Sequence, residues 1–283
     1  MININGHLTS SSEASLSVLN RGLAYGDALF ESIKSLNGKI LFWEDHYFRL
    51  MSSMRILRME IPMKFTPEFL ESQIIELLSF NVSNSNSNSF RVKLTVFRKH
   101  GGFYTPETND INYFISADPL ESDLYPLNSS EYKIELFKDF YVNPGLLSTL
   151  KTNNKVLNVL GSIYAKENQY DNCLLLNLNK SIVEALNGNL FLVKGYIIKT
   201  PPLSDGCLNG VMRKQVIEIL NKSSDYEFIE DIISPFELQK ADELFITNIV
   251  KGIQPITIFR KKLYTTAVSQ NILAKLNMLL RLS

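Results

Sequence analysis

The chain has 283 residues, 45% of them apolar, and its 29 basic and 29 acidic side chains leave no formal net charge. That length suits two modest domains or one large one, with enough apolar surface for a sizeable core. Balanced charge gives no electrostatic reason to expect nucleic acid or an anionic membrane as a partner, and no apolar run is long enough to span a bilayer, so a small-molecule partner is expected.

In chain order, the opening MININGHLTS lacks a basic segment followed by an apolar one, so no signal peptide is expected and the chain reads as cytoplasmic. Thr66-Pro67-Glu68 starts a helix: Thr66 caps it, Pro67 suits its first position, and Phe69, Leu70, Ile74, Leu77 and Leu78 line one face. The run NVSNSNSNS, Asn81 to Ser89, cannot pack a core and reads as a surface loop. FRVKLTVFRK and INYFISADPL then read as strands, the second stopped by Pro119. Residues 118–130 are rich in Pro, Ser, Asn and acids, the composition of a linker.

Beyond it, YKIELFKDFY and CLLLNLN read as strands, and NLFLVKGYIIKTP as a hairpin turning at Lys194-Gly195. GVMRKQVIEIL has helical spacing in Val211, Val216, Ile217 and Leu220. Ser234-Pro235-Phe236-Glu237 has the pattern of a capping box, and ELFITNIV returns to strand. Strands and helices mixed in two blocks, without an internal repeat, make an α+β protein. Cys173 and Cys207 do not form a disulfide framework and fit a reducing compartment.

Metal chemistry is not expected, since His7, His46 and His100 have no paired spacing and the cysteines are far apart. A Gly-rich dinucleotide fingerprint, a GxxxxGK loop and a GxSxG elbow are all missing. Four short segments carry what remains. The first is RGLAYGDALFE with FWEDHYFRL, residues 21–31 and 42–50. The second is STLKTNNKVLNVLGS, in which Lys151 with Asn154 and Lys155 with Asn158 both fit Lys-x-x-Asn. The third is VEALNGNLFLVKG and the fourth GCLNGVMRKQV.

Taken together and in this order, the segments resemble the class IV aminotransferase family, the fold-type IV pyridoxal-phosphate enzymes. That family includes branched-chain and D-amino acid aminotransferases and aminodeoxychorismate lyase. The resemblance implies a two-domain fold: a small N-terminal α/β domain over residues 1–117, a linker over 118–130, and a larger, barrel-like C-terminal domain with helices over 131–283. It implies pyridoxal 5′-phosphate as cofactor and a homodimer as the assembly.

By the same resemblance, Lys151 is the lysine that bonds the cofactor and moves protons. The spacing from Lys151 to Glu184 matches the lyase branch without a gap, whereas Lys155 would need a deletion and would lie inside the following helix. Glu184 keeps the pyridine nitrogen protonated, which makes the ring a better electron sink. Asn189 and Phe191 complete that motif. The phosphate falls to Arg49, whose guanidinium is a planar fork of donors. It falls also to the backbone at Val211 and Met212, at a helix start, and to Thr247 and Asn248.

Phe30, Arg98 and His100 stand where the substrate is expected, with Arg98 a candidate for a substrate carboxylate. MININGH, Gly210-Val211-Met212-Arg213 and the ungapped spacing favour the lyase that releases pyruvate and 4-aminobenzoate for folate synthesis. A class IV aminotransferase is the close alternative, and a non-catalytic relative the distant one.

Overall fold

The computed structural model describes residues 1–82, 85, 87–128 and 130–282. The low-complexity run therefore lies partly outside the described residues. Its first two residues end a helix, and Ser89 begins a strand.

The chain folds as two compact units. The first comprises Met1–Asp123 together with Lys151–Asn154. Its elements are β1 (Ile2–Ile4), β2 (His7–Thr9), α1 (Arg21–Tyr25), β3 (Ala28–Leu36), β4 (Lys39–Ile40), α2 (Trp43–Ile56), α3 (Pro67–Val82), β5 (Ser89–Arg98) and β6 (Ile111–Pro119). The strands form one six-stranded sheet in the order β2-β1-β6-β5-β3-β4, with every neighbour antiparallel. The α3 start is built as its sequence directs. Thr66 Oγ1 accepts from the Phe69 N–H at 3.2 Å, and Leu70, Ile74, Leu77 and Leu78 are buried.

The two faces of this sheet differ. Strand residues alternate sides, so Leu29, Glu31, Ile33 and Ser35 of β3 share the face that packs on α2. Phe30, Ser32 and Lys34 share the other. Across the ladder Phe30 stands opposite Thr95, and Ser32 opposite Lys93, so these four side chains lie on one face.

The segment Lys151–Asn154 belongs to this unit through the backbone. The Phe30 N–H donates to the Lys151 carbonyl at 2.9 Å, and the Asn153 N–H to the Ala28 carbonyl at 3.0 Å. Leu29 and Thr152 form an antiparallel bridge between them. No strand periodicity announces this in KTNN, and a division of the chain into consecutive blocks cannot express it.

The second unit comprises Leu124–Leu150 and Lys155–Ser283. It contains β7 (Lys133–Val142), α4 (Val156–Glu167), β8 (Asn172–Asn177), β9 (Ile182–Ala185), β10 (Asn189–Lys194), β11 (Ile197–Thr200), α5 (Val211–Asn221) and β12 (Glu227–Glu230). It continues with α6 (Glu237–Lys240), β13 (Glu243–Asn248), β14 (Gly252–Ile256), β15 (Ile258–Phe259), β16 (Lys262–Leu263) and α7 (Ala267–Leu282). Two five-stranded sheets result, β12-β11-β10-β13-β14 and β16-β15-β7-β8-β9. Leu136, Leu174 and Ile182 from one, and Leu190, Leu192, Leu244 and Ile246 from the other, share a single apolar core. Burial of such side chains is the main stabilising term in a sheet pair of this kind.

The hairpin forms one residue further on than expected, turning at Gly195-Tyr196, with Lys194 paired to Ile197 and Gly195 at φ 61°. The capping box at Ser234 forms only one of its two arms. The Glu237 carboxylate accepts from the Ser234 N–H at 2.8 Å, while Ser234 Oγ turns to the Phe236 N–H at 3.3 Å. Cys173 and Cys207 are both free and buried, and burial pushes their thiols up to about 11 and about 12. No described helix is long and apolar enough to cross a membrane.

Gly26 closes α1 in the left-handed region, at φ 66° and ψ 19°. A Cβ there would run into the Asn154 side-chain amide. Gly26→Ala is therefore expected to lower the unfolding free energy by about 1–3 kcal/mol. Urea denaturation measures that loss. Hydrogen exchange at the Phe30 and Asn153 amides locates it, because those amides should exchange faster if Asn154 is displaced.

Candidate active site

In the first unit, the Lys151 side chain lies over Phe30, its Nζ 4.5 Å from the ring centroid. The backbone bonds at Phe30 and Asn153 fix where that amine leaves the chain, so β3 sets its position. Phe30 is half-buried and supplies an apolar, π-rich surface beneath the cation.

On the α2 side of β3, Glu31, His46 and Arg49 form a buried charge cluster. Arg49 Nε donates to Glu31 Oε1 at 2.8 Å, and Arg49 Nη2 pairs with Oε2 of the same carboxylate. His46 Nδ1 stands 2.8 Å from Oε2. Burial alone would raise the Glu31 carboxyl, but Arg49 and the His46 hydrogen bond outweigh it and hold the group at about 2. Burial drives the His46 imidazole below its ordinary value, against the pull of Glu31, and the charges of Arg49 and Lys151 push the same way as burial. His46 is thus a neutral donor through Nδ1, which agrees with a buried Nε2 that has no hydrogen-bond partner. Arg49, expected at a phosphate, is held through two of its nitrogens by Glu31.

The sequence puts Arg98 at a substrate carboxylate, and its guanidinium is committed to the protein instead. Nε donates to Asp27 at 2.9 Å, Nη1 to the Arg58 carbonyl at 3.1 Å and to Asn109 Oδ1 at 2.6 Å, and Nη2 to the Leu57 carbonyl at 2.6 Å. The residue is 6% exposed. His100 is exposed at the start of the following loop. That loop is held by Arg21, whose Nη1 donates to the carbonyls of Gly101, Gly102 and Phe103 at 3.1, 3.3 and 2.6 Å.

The second unit builds a separate polar cradle. Glu184 on β9 accepts from the Leu208 N–H at 3.0 Å and from Asn189 Nδ2 at 3.4 Å. Asn189 Nδ2 also donates to the Leu208 carbonyl at 2.8 Å. Asn189 on β10 stands opposite Thr247 on β13, and a Cβ on Gly210, the residue that caps α5, would strike the Asn189 amide. A bare glycine is therefore what lets the start of α5 approach β10.

No side chain caps α5, and its first turn has no acidic residue. The backbone N–H groups of Val211 and Met212 are thus the donors at a positive helix end. Thr247 is 1% exposed, and its Oγ1 has no hydrogen-bond partner. A helix start without a side-chain cap, on a unit that also carries an orphaned buried hydroxyl, fits a phosphate monoester. Asn248 Oδ1, by contrast, accepts from the Val250 and Lys251 N–H groups at 3.0 and 2.8 Å and shapes its own turn.

Lys155, expected within the following helix, instead caps it. Its ammonium is pushed below its ordinary value by burial, with the Glu184 carboxylate opposing the shift, so the second unit itself places Lys155 near Glu184. Among the described residues no cluster of His, Cys, Asp and Glu could hold a metal.

The family model described as amino-transferase class IV matches residues 28–259. A curated putative branched-chain-amino-acid aminotransferase of Methanocaldococcus jannaschii is 30% identical over 262 residues, covering 90% of this chain and 86% of that one. A solved branched-chain aminotransferase of the thermophilic archaeon Thermoproteus uzoniensis, with norvaline, superposes with a TM-score of 0.86 at 23% identity, over 97% of this chain and 92% of that one. A solved putative 4-amino-4-deoxychorismate lyase of Legionella pneumophila does so at 0.83 and 19%, over 95% and 96%. The α+β fold is therefore shared with a branched-chain aminotransferase and with a putative 4-amino-4-deoxychorismate lyase.

A carboxylate held at about 2, against an ordinary 4.5, stabilises the fold above pH 4.5, and that contribution is lost as the pH falls toward 2. Glu31→Gln is expected to cost about 3 kcal/mol at pH 7, because it leaves Arg49 without its buried partner. The gap from wild type should close as the pH falls toward 2. Urea titrations across that range measure it. A gap that is constant with pH would show that the carboxylate's charge is not the source.

Proposed function

The chain belongs to the class IV aminotransferase family, and on that premise we propose that it is an aminotransferase moving the amino group of a small amino acid to a 2-keto acid, with Lys151 as its reacting amine. The observation that carries this reading is the relatedness to the putative branched-chain-amino-acid aminotransferase of Methanocaldococcus jannaschii over nine-tenths of the chain. The protein is an enzyme, and its cofactor is pyridoxal 5′-phosphate, as throughout the family. When bound, that group supplies an electron-withdrawing ring that accepts the electron pair of the bond broken at the amino-bearing carbon.

The chain's own residues do the rest. In this reading the Lys151 amine, seated on Phe30, is both the point of attachment and the base that carries the substrate's proton. Glu184 holds a proton on the ring nitrogen, with its carboxylate oriented by the Leu208 N–H and by Asn189. The Val211 and Met212 N–H groups and the Thr247 hydroxyl hold the phosphate, and the Arg49 guanidinium adds charge. Lys155 is the alternative attachment point, since it is the lysine near Glu184 within its own unit.

The lyase is the second reading. The feature that favours it is Met212 at the first turn of α5, a buried thioether within the Gly210-Val211-Met212-Arg213 segment that resembles the lyase branch.

We further propose a homodimer. Val156, Val159, Leu160 and Ile163 recur at helical spacing along α4 and are 73%, 53%, 39% and 49% exposed, an apolar stripe suited to a second copy. A cytoplasmic location is the reading in keeping with two free thiols.

Purified enzyme is expected to be yellow and to lose its near-visible band on borohydride treatment. Lys151→Ala should lack that band while Lys155→Ala keeps it, and the opposite pattern would move the attachment point to Lys155. Amino transfer from L-leucine or D-alanine to 2-oxoglutarate is the expected activity. Release of pyruvate and 4-aminobenzoate from aminodeoxychorismate without amino transfer would replace the aminotransferase with the lyase.

A further inference from the structure

Arg98 is expected to meet a substrate carboxylate, and its donors are taken up by Asp27, Asn109 and two backbone carbonyls. The first unit nevertheless holds another cation on the face where Lys151 lies. Lys93 on β5 is half-buried, and its Nζ lies 5.3 Å from the centroid of the Phe30 ring, the ring that carries the Lys151 amine. Among the described residues the Lys93 ammonium has no ion pair and no hydrogen bond, and it rests against the Phe30 ring alone. Two residues along the same strand, Thr95 is 2% exposed, and its Oγ1 has no partner.

Residues two apart on a strand point to the same side. Phe30 is opposite Thr95 and Ser32 opposite Lys93, so the ammonium, the orphaned hydroxyl, the ring and the Ser32 hydroxyl crowd one patch of sheet. Buried hydroxyls are ordinarily matched by a hydrogen-bond partner, and for Thr95 the described residues supply none. The Lys93 ammonium beside it is likewise without an anion among them.

We propose that Lys93, with Thr95 beside it, is the binding site for a carboxylate of the substrate. Lys93 Nζ–H donates to the carboxylate oxygens, and the Thr95 hydroxyl donates to the same group. Phe30 separates the two lysines into a reacting amine on one part of its ring and an anion anchor on the other. The anchor discriminates carboxylated substrates from neutral ones, and it orients the amino-bearing carbon toward Lys151. This inference rests on the reading of Lys151 as the amine that bears the cofactor.

The test uses cofactor-loaded enzyme and two non-reacting probes, propionate and succinate, titrated against the near-visible band. Lys93→Gln is expected to weaken binding about tenfold to a hundredfold, the range for losing a charge-assisted hydrogen bond. Lys93→Arg should restore most of it, and Thr95→Val should weaken it less than Lys93→Gln does. Loss of affinity for both probes places the anchor at the carboxylate nearest the amine. A loss confined to succinate places it at the second carboxylate, and either result supports the proposal.

Unchanged affinity for both probes in Lys93→Gln, with the band intact, would overturn it. So would wild-type enzyme that binds neither probe. Failure of the underlying reading is seen separately, as wild-type enzyme without a near-visible band.

Discussion

A pair of backbone hydrogen bonds determines where the candidate reacting amine stands. The Phe30 and Asn153 N–H groups join residues 151–154 to the beginning of β3, so a strand near the N-terminus positions a side chain from the middle of the chain. Strand pairing is a strict positioning device, because a slip of one residue turns every side chain to the opposite face. With Leu29 opposite Thr152, Lys151 falls over Phe30. The Gly26 turn just before β3 clears the room that Asn154 needs.

Both faces of β3 serve the candidate site, and they do so with opposite electrostatics. Toward α2 the strand offers Glu31, a carboxylate saturated by Arg49 and a neutral His46. That face is closed, its carboxylate is matched within the fold while His46 Nε2 stays without a partner, and its low dielectric strengthens each contact. The other face is left with positive charge and the unmatched Thr95 hydroxyl around Phe30. The alternation of a single strand thus separates a structural ion cluster from a surface prepared for an anion, with only the sheet's own thickness dividing them.

Much of the fold is legible in the sequence because its periodicities are strong. The strands at 89–98, 133–142, 172–177 and 243–248 and the helices at 67–82 and 211–221 stand where alternation and helical spacing put them. Short elements such as β1, β2, β15 and β16 carry too few residues for a pattern to emerge. Residues 151–154 stand out in the sequence only as a motif and are invisible as structure, since a long-range backbone pairing leaves no local trace.

Arg98 shows the converse: an arginine at a strand end reads as available, and only tertiary structure reveals the carbonyls of Leu57 and Arg58 waiting for it. Lys93 gives no cue of its own, because a lysine in an alternating strand looks like an ordinary outward residue. The signal that distinguishes it is its register against Phe30, which no single segment contains. The motif residues Glu184, Asn189 and Thr247 gather on one unit because adjacent strands β10 and β13 put Asn189 and Thr247 opposite each other.

Asp27 is a smaller feature with wide reach. A single oxygen of its carboxylate accepts from Arg21 at 3.0 Å and from Arg98 at 2.9 Å. Arg21 in turn grips residues 101–103, and Arg98 grips the turn at 57–58. Two stretches remote in sequence from Asp27 therefore hang from one acid. Anyone transplanting a relative's 99–107 loop into this framework would have to bring matching residues at 21 and 27, because the loop's own Gly102–Pro106 bridge and Glu107 contact are completed by them.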